Sequence, residues 1–164
     1  MLNDILAPGL KLVVCGTAAG EVSASRGEYY AGPGNKFWSV LFDVGLTPRR
    51  LESYEFKELL AFGIGLTDVV KDQSGSDASI DFGLSDPGSF RDKIQQFSPA
   101  VLAFNGKKAA QVFLGRHRVV YGLQSERVGE TRLFVAPSTS RAANGYWNAE
   151  IWSELAKLTR KVAT

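Results

Sequence analysis

The sequence predicts an α/β fold: a parallel or mostly parallel sheet covered on both faces by helices. Two observations carry that expectation. Short apolar runs of strand length alternate with segments of helical periodicity along the whole chain. No internal repeat, low-complexity tract or interdomain linker breaks the alternation. Strand–helix–strand units of this kind return their strands in parallel and leave the helices on the sheet's faces.

The elements follow in order. Leu10 to Cys15 reads as a buried strand. Asn35 to Val44 reads as a helix with Phe37, Trp38, Leu41 and Phe42 on one face, and Tyr54 to Phe62 as a second helical piece stopped by Gly63. Ile64 to Val70 is a short strand. Residues 71–85 are polar and loop-like, so Asp72, Asp77 and Asp81 are expected to be solvated. Asp86-Pro87 is a helix start, a cap followed by proline at the first position, for a helix ending near Phe97. Ala100 to Phe104 is a third strand and Gly106 to Leu114 a helix. Val119 to Leu123 and Arg132 to Ala136 are later strands. The last helix runs from about Ala149 to Val162 with Ile151, Leu155, Leu158 and Val162 as its core stripe. Lys157, Arg160 and Lys161 near its end suit the helix dipole.

Composition bounds the function. The 164 residues fit one domain spanning 1–164, and 45% apolar with 22% charged residues is ordinary for a soluble globule. No apolar run approaches the roughly 20 residues that span a bilayer. The start, "MLNDILAPGLKL", lacks a basic region followed by an apolar one, so a cytoplasmic protein of bacterial type with no membrane partner is expected. A single cysteine excludes an internal disulfide and a cysteine-rich metal cluster, and Cys15 within an apolar strand reads as a structural thiol. A single histidine excludes a two-histidine metal site, and His117 in "GRHRVVYG" reads as a surface or phosphate-side residue. No metal or cofactor is expected. The net charge of +2 permits nucleic-acid binding through a local patch without arguing for it.

In parallel sheets functional groups sit outside the carboxyl ends of the strands. That rule selects four loops: 16–35, 67–71, 105–108 and 137–147. The first carries Gly16, Gly20, Gly27, Gly32 and Gly34, and glycine lets a backbone approach a flat ligand or a phosphate closely. Its spacing matches neither a P-loop nor a dinucleotide fingerprint. A ligand loop and a plain strand-to-helix turn both remain open at this point.

The segments "GTAAGEVSASRGEYYAGPGNKFWSVLFDVGLT", "GIGLTDVV", "LAFNGKKA" and "VAPSTSRAA" occur in this order. Together they resemble the mismatch-specific uracil/thymine DNA glycosylases of the uracil-DNA glycosylase superfamily, over residues 9 to about 147. The tract Tyr30-x-Gly-Pro-Gly-Asn-x-Phe-Trp is the most specific part. The resemblance implies a three-layer α/β/α sandwich and a monofunctional, monomeric glycosylase. Its partner would be double-stranded DNA with uracil or mismatched bases. It would flip the base out of the stack and hydrolyse the N-glycosidic bond. Tyr30 matches the position that stacks on the flipped base, and backbone N–H groups of Thr17, Ala18, Ala19 and Gly20 would bond the base carbonyls. Asn35 reads as a cap or loop staple. Asn105, Lys107 and Lys108 open a helix whose N–H groups and ammoniums suit a phosphate, a merely solvated lysine pair being the alternative. Ser138, Thr139 and Ser140 are hydroxyl donors suited to phosphate contacts. Arg141 matches the wedge that fills the vacated stack, with Ala142 and Asn144 as runners-up.

The sequence departs from the family in one place. Family members carry Gly-Ile-Asn-Pro-Gly at the first motif, and its Asn orients the attacking water; here Ala18 stands at that position, and alanine cannot hold a water. Asp68, at the carboxyl end of the second strand, is the expected replacement. It would act either ionised, as a base or as a partner for a cationic sugar, or protonated, as a donor to the base. Glu28 is a weaker candidate. Four-cysteine iron–sulphur relatives and relatives with a catalytic histidine are disfavoured by counting. The alternatives are a lesion-recognition DNA-binding protein that cuts poorly and a flavodoxin-like domain for a small ligand.

Overall fold

The computed structural model describes residues 2–162, the side chains of Leu84 and Val162 excepted. Five strands, β1 (Leu12–Gly16), β2 (Ile64–Asp68), β3 (Val101–Asn105), β4 (Gly122–Val128) and β5 (Thr131–Ala136), form one sheet in the order β2-β1-β3-β5-β4. β1 pairs in parallel with β2 and β3, and β3 with β5; β4 is antiparallel to β5 at the edge. Five α-helices surround it: α1 (Glu21–Arg26), α2 (Phe37–Asp43), α3 (Pro87–Phe97), α4 (Lys107–Leu114) and α5 (Ala149–Val162). This is the expected α/β fold with a mostly parallel central sheet.

Strand side chains alternate between faces, so each buried strand feeds two cores. Leu12 and Val14 of β1 join Leu66, Ala103 and Phe134 on one face, under α2, α5 and the 3-10 segment Ser53–Phe62. Val13 and Cys15 join Leu102, Phe104, Leu133 and Val135 on the other, under Phe90 and Ile94 of α3 and Ala109 and Phe113 of α4. Burying each Val, Leu, Ile or Phe among them contributes about 1.5–3 kcal/mol, which is why the strands read as unbroken apolar runs.

Local signals set the ends of several elements. The Asp86 side chain accepts from the Ser89 N–H with Pro87 in the first turn, as expected of that dipeptide. Gly63 ends the 53–62 segment in the left-handed conformation, at φ 77°. At the start of that segment, Glu52 and Glu55 form a reciprocal capping box.

Four details differ from expectation. The late strand is Gly122–Val128, not Val119–Leu123, because an edge strand is specified by pairing with β5 and by alternation, and only its Val128 end is buried. Residues 21–26 form α1, a short helix capped by Gly27, where the glycines suggested only loop. Phe42 is 45% exposed and does not share the buried face of α2. In α5 the fully buried residues are Trp152, Leu155, Ala156 and Thr159, with Ile151 and Leu158 packed beside the apolar three. The Trp152 Nε1–H donates to the Pro137 carbonyl at 3.0 Å, which explains how an indole tolerates that depth. The Val162 side chain, expected on the same stripe, lies outside the described residues.

Candidate active site

The carboxyl ends of β1, β2, β3 and β5 open on one cavity of about 910 Å³. It sits where the chain leaves β1 for β2 on one side and later places β3 on the other, the reversal at which α/β sheets leave a crevice. All four loops selected from the sequence contribute to its lining, among them Ala18, Tyr30, Asp68, Gly106 and Ser138.

The first loop is fixed through its carbonyls. Those of Gly16, Thr17 and Ala19 accept from the N–H groups of Val69, Val70 and Gly75 at 2.8–3.0 Å. Ala19 also makes an isolated parallel bridge with Ser74. The Thr17 hydroxyl donates to Asp77 Oδ1 at 2.8 Å. Asp77 is exposed, as expected, and it also holds Thr17 and lines the cavity. Asp81 is likewise engaged, accepting from the Gly83 N–H at 3.0 Å. The polar 71–85 segment folds over the glycine turn and clamps it.

Asp68 and Gly16 are register partners, which brings the carboxylate to the floor of the cavity. A β-carbon at Gly16 would lie 2.6 Å from Asp68 Oδ1 and 3.3 Å from the Tyr30 hydroxyl. Glycine there is what lets the carboxylate and the phenol converge. Asp68 is 4% exposed. Burial raises its pKa to about 6, Lys71 pulling it down and Asp4 pushing it up. Its Oδ2 lies 3.6 Å from the Lys71 ammonium.

Tyr30 adopts φ 53°, a left-handed conformation that costs a bulky residue strain. Its ring stacks on Phe37 with centroids 4.0 Å apart and planes at 27°. Its buried hydroxyl has no hydrogen-bond partner among the described residues. Asn105 lies near enough to stabilise the phenolate, but Thr139 already engages both ends of that amide. The Asn105 Nδ2 donates to Thr139 Oγ1 and the Thr139 N–H donates to Asn105 Oδ1, each at 3.0 Å. Asn105 and Thr139 are both buried. The pair clasps the loop after β3 to the loop after β5, and both residues line the cavity.

Ser138 and Ser140, half-buried, stay at the cavity wall with Lys107 and Lys108. Lys107 lies over the Tyr121 ring at 4.5 Å and Lys108 over Phe82 at 4.6 Å. Arg141 is exposed beyond the cavity lining, its stem crossing Gly34 so closely that a β-carbon there would meet Arg141 Cδ at 2.8 Å. Asn144 accepts a hydrogen bond from Lys36. Asn35 accepts from the Phe37 N–H at 3.0 Å, a staple at the start of α2. Glu28 accepts from Ser53 at 2.8 Å and lies outside the lining, and His117 is exposed, also outside it.

The family model of the uracil DNA glycosylase superfamily matches residues 4–156. The chain belongs to the uracil DNA glycosylase superfamily. The fold agrees: a solution NMR structure of a candidate uracil DNA glycosylase from Methanosarcina acetivorans superposes with a TM-score of 0.64 at 20% identity, covering 99% of this chain and 97% of that one.

Within this superfamily member, sequence reasoning missed two groups near the cavity. Tyr121 and the 75% exposed Tyr146 stand at its mouth. Neither had a local signal, because an exposed aromatic at a rim reads in sequence like any other apolar residue. Asp4 lies beneath the floor, bonded to Thr67, Lys71 and Lys93. Its place in the chain gave no hint, since the contact spans more than sixty residues of sequence.

Proposed function

We propose that this superfamily member is a monofunctional DNA glycosylase that removes uracil, and other deaminated or mismatched bases, from double-stranded DNA. The observation that carries the reading is the buried Asp68 carboxylate at the floor of a cavity of ligand size, beside the glycine turn. Bond breaking at C1′ sends the electron pair to the departing base and leaves a cation-like sugar. Water adds at C1′, its proton going to Asp68 and onward to the base. With a pKa of about 6, Asp68 is mostly ionised at neutral pH and still able to hold a proton transiently. In this role it replaces the amide absent at Ala18. Backbone N–H groups of the Thr17–Gly20 turn bond the base carbonyls, and Ser138, Ser140, Lys107 and Lys108 hold phosphate.

The test is abasic-site formation on a G·U duplex at single turnover, extended to T, hypoxanthine and xanthine. The rate is expected to rise with pH through about 6, the ionisation of Asp68. A rate that falls through that range makes Asp68 a neutral donor to the base. The missing motif amide supports one second reading, a lesion-recognition protein. Tight binding of the G·U duplex without abasic product would establish that instead.

Tyr30 offers its second face to the flipped base, Phe37 backing the first. Base–aromatic stacking is worth about 1–3 kcal/mol per base. Tyr30→Ala should weaken base capture by that amount with little change in binding to undamaged duplex. Tyr30→Phe should keep capture, because it keeps the ring and removes a hydroxyl with no partner. Equal loss of lesion and non-lesion binding in the alanine variant would reject the stacking role.

Arg141 enters the vacated stack. Arg141→Ala is expected to slow excision from stable pairs more than from single strands and to shorten retention on the abasic product. Equal slowing on both substrates would remove the wedge assignment.

A further inference from the structure

Beneath the cavity floor lies a chain of charges for which the proposed reaction has no use. The N-terminal segment runs along the outer edge of β2, where Ile5 and Leu66 exchange backbone hydrogen bonds at 2.8–2.9 Å. Gly65 permits the approach: a β-carbon there would sit 2.5 Å from the Ile5 carbonyl oxygen. The arm thereby delivers Asp4 under Asp68. Asp4 Oδ1 accepts from the Thr67 hydroxyl at 2.7 Å and pairs with Lys71 at 2.9 Å, while Oδ2 pairs with Lys93 at 2.6 Å. The Lys71 ammonium also donates to the Tyr29 hydroxyl at 3.1 Å, and its distance to Asp68 is the longer 3.6 Å. One ammonium is thus shared by two carboxylates and drawn toward the one outside the cavity.

We propose that Lys71 and Asp4 are positioning residues that act through Asp68 in opposite senses, Lys71 favouring its anion and Asp4 opposing it. The assignment of Asp68 to the reaction rests on the function proposed above; the charge coupling does not. Coulomb interaction fixes the signs. Lys71 brings a positive charge to a buried carboxylate, where little water screens it. Asp4 brings a negative charge and also competes for Lys71. Lys93, by neutralising Asp4, works on the side of the anion. The other titratable groups around Asp68 are the Tyr29 and Tyr30 hydroxyls and the Cys15 thiol. Burial raises all three, so they stay neutral through the acidic range. Asp4 itself is held low: burial pushes its carboxyl up, but the Lys93 and Lys71 ammoniums outweigh that, so it remains an anion while Asp68 titrates.

The experiment is a carboxyl-carbon NMR titration of Asp68 in the whole chain, beside the pH profile of single-turnover excision. Lys71→Met should move the Asp68 midpoint upward by about 1–3 pH units, the usual reach of a nearby opposite charge. Asp4→Asn should move it downward. Lys71→Arg should hold it near the wild-type position. The excision profile should follow in the same directions, so that at pH 6 the Lys71→Met enzyme is slowed several-fold and the Asp4→Asn enzyme is accelerated. Damage to the fold would move both variants the same way. Midpoints that stay fixed, or shift in one direction in both variants, overturn the coupling. Opposite NMR shifts with no matching change in the excision profile leave the coupling standing and remove Asp68 from the reaction. If the wild type makes no abasic product, the proposed function fails, and the coupling is still judged by the titration.

Discussion

Asp68→Asn is expected to slow single-turnover excision by about 10²–10⁴-fold, the usual worth of general-base assistance, while making the protein more stable at neutral pH. The second effect follows from burial. The native carboxyl has a pKa of about 6 against an ordinary 3.8, raised chiefly by desolvation. The folded state therefore holds this proton more tightly than the unfolded chain does. Asp68 supports the fold fully below about pH 4, and that support is lost as the pH rises through about 6. The difference corresponds to on the order of 2–3 kcal/mol. An amide, which never ionises, avoids the loss. Melting temperatures of wild type and variant should lie closest near pH 4 and separate by pH 7, the variant above. Parallel curves would show that Asp68 does not titrate in this window. Near-wild-type excision by the variant would take Asp68 out of the mechanism and leave the Thr17–Gly20 backbone as the main catalytic agent. Restoring the motif amide with Ala18→Asn should partly rescue the Asp68 variant, because either group positions the same water.

Gly16→Ala is expected to cost about 10²-fold in excision, the effect of displacing reacting groups by an ångström. Its β-carbon would stand 2.6 Å from Asp68 Oδ1, which must swing away, and 3.3 Å from the Tyr30 hydroxyl. Overpacking of this kind costs about 1–3 kcal/mol of stability, too little to unfold a domain of this size. Gly20→Ala is the stability control, since a β-carbon there meets nothing within 4 Å. Should Gly16→Ala retain full activity, the convergence of Asp68 and Tyr30 has no bearing on catalysis.

The sequence made the layers of this protein legible because its central strands are buried on both faces. A run such as Leu12–Cys15 has little choice but to be a strand, and Asp86-Pro87 little choice but to start a helix. The rule that function gathers at carboxyl strand ends then located all four loops of the cavity. What stayed hidden depends on partners distant in sequence. Thr139 has the same local appearance as Ser138 and Ser140, yet its hydroxyl accepts from Asn105, thirty-four residues earlier, and is buried where theirs are not. Asp77 is solvated as expected, but nothing nearby in sequence shows that the 71–85 segment folds back onto Thr17. The β4 strand was misplaced because Val119 and Val120 are apolar, whereas the true strand is a polar edge held by its neighbour.

The lone thiol of the chain sits one residue before Gly16, fully buried on the interior strand β1, and donates to the next carbonyl. Burial raises its pKa and keeps it protonated, so a thiol reagent reaches it only when the sheet opens. Cys15 is thus a built-in clock for opening beside the cavity. A ligand gripping the loops on both sides of β1 must be released before that opening, so it should slow labelling by a factor of about 1 + [L]/Kd. The modification rate of one native sulphur, followed against ligand concentration, would measure affinity without any attached probe.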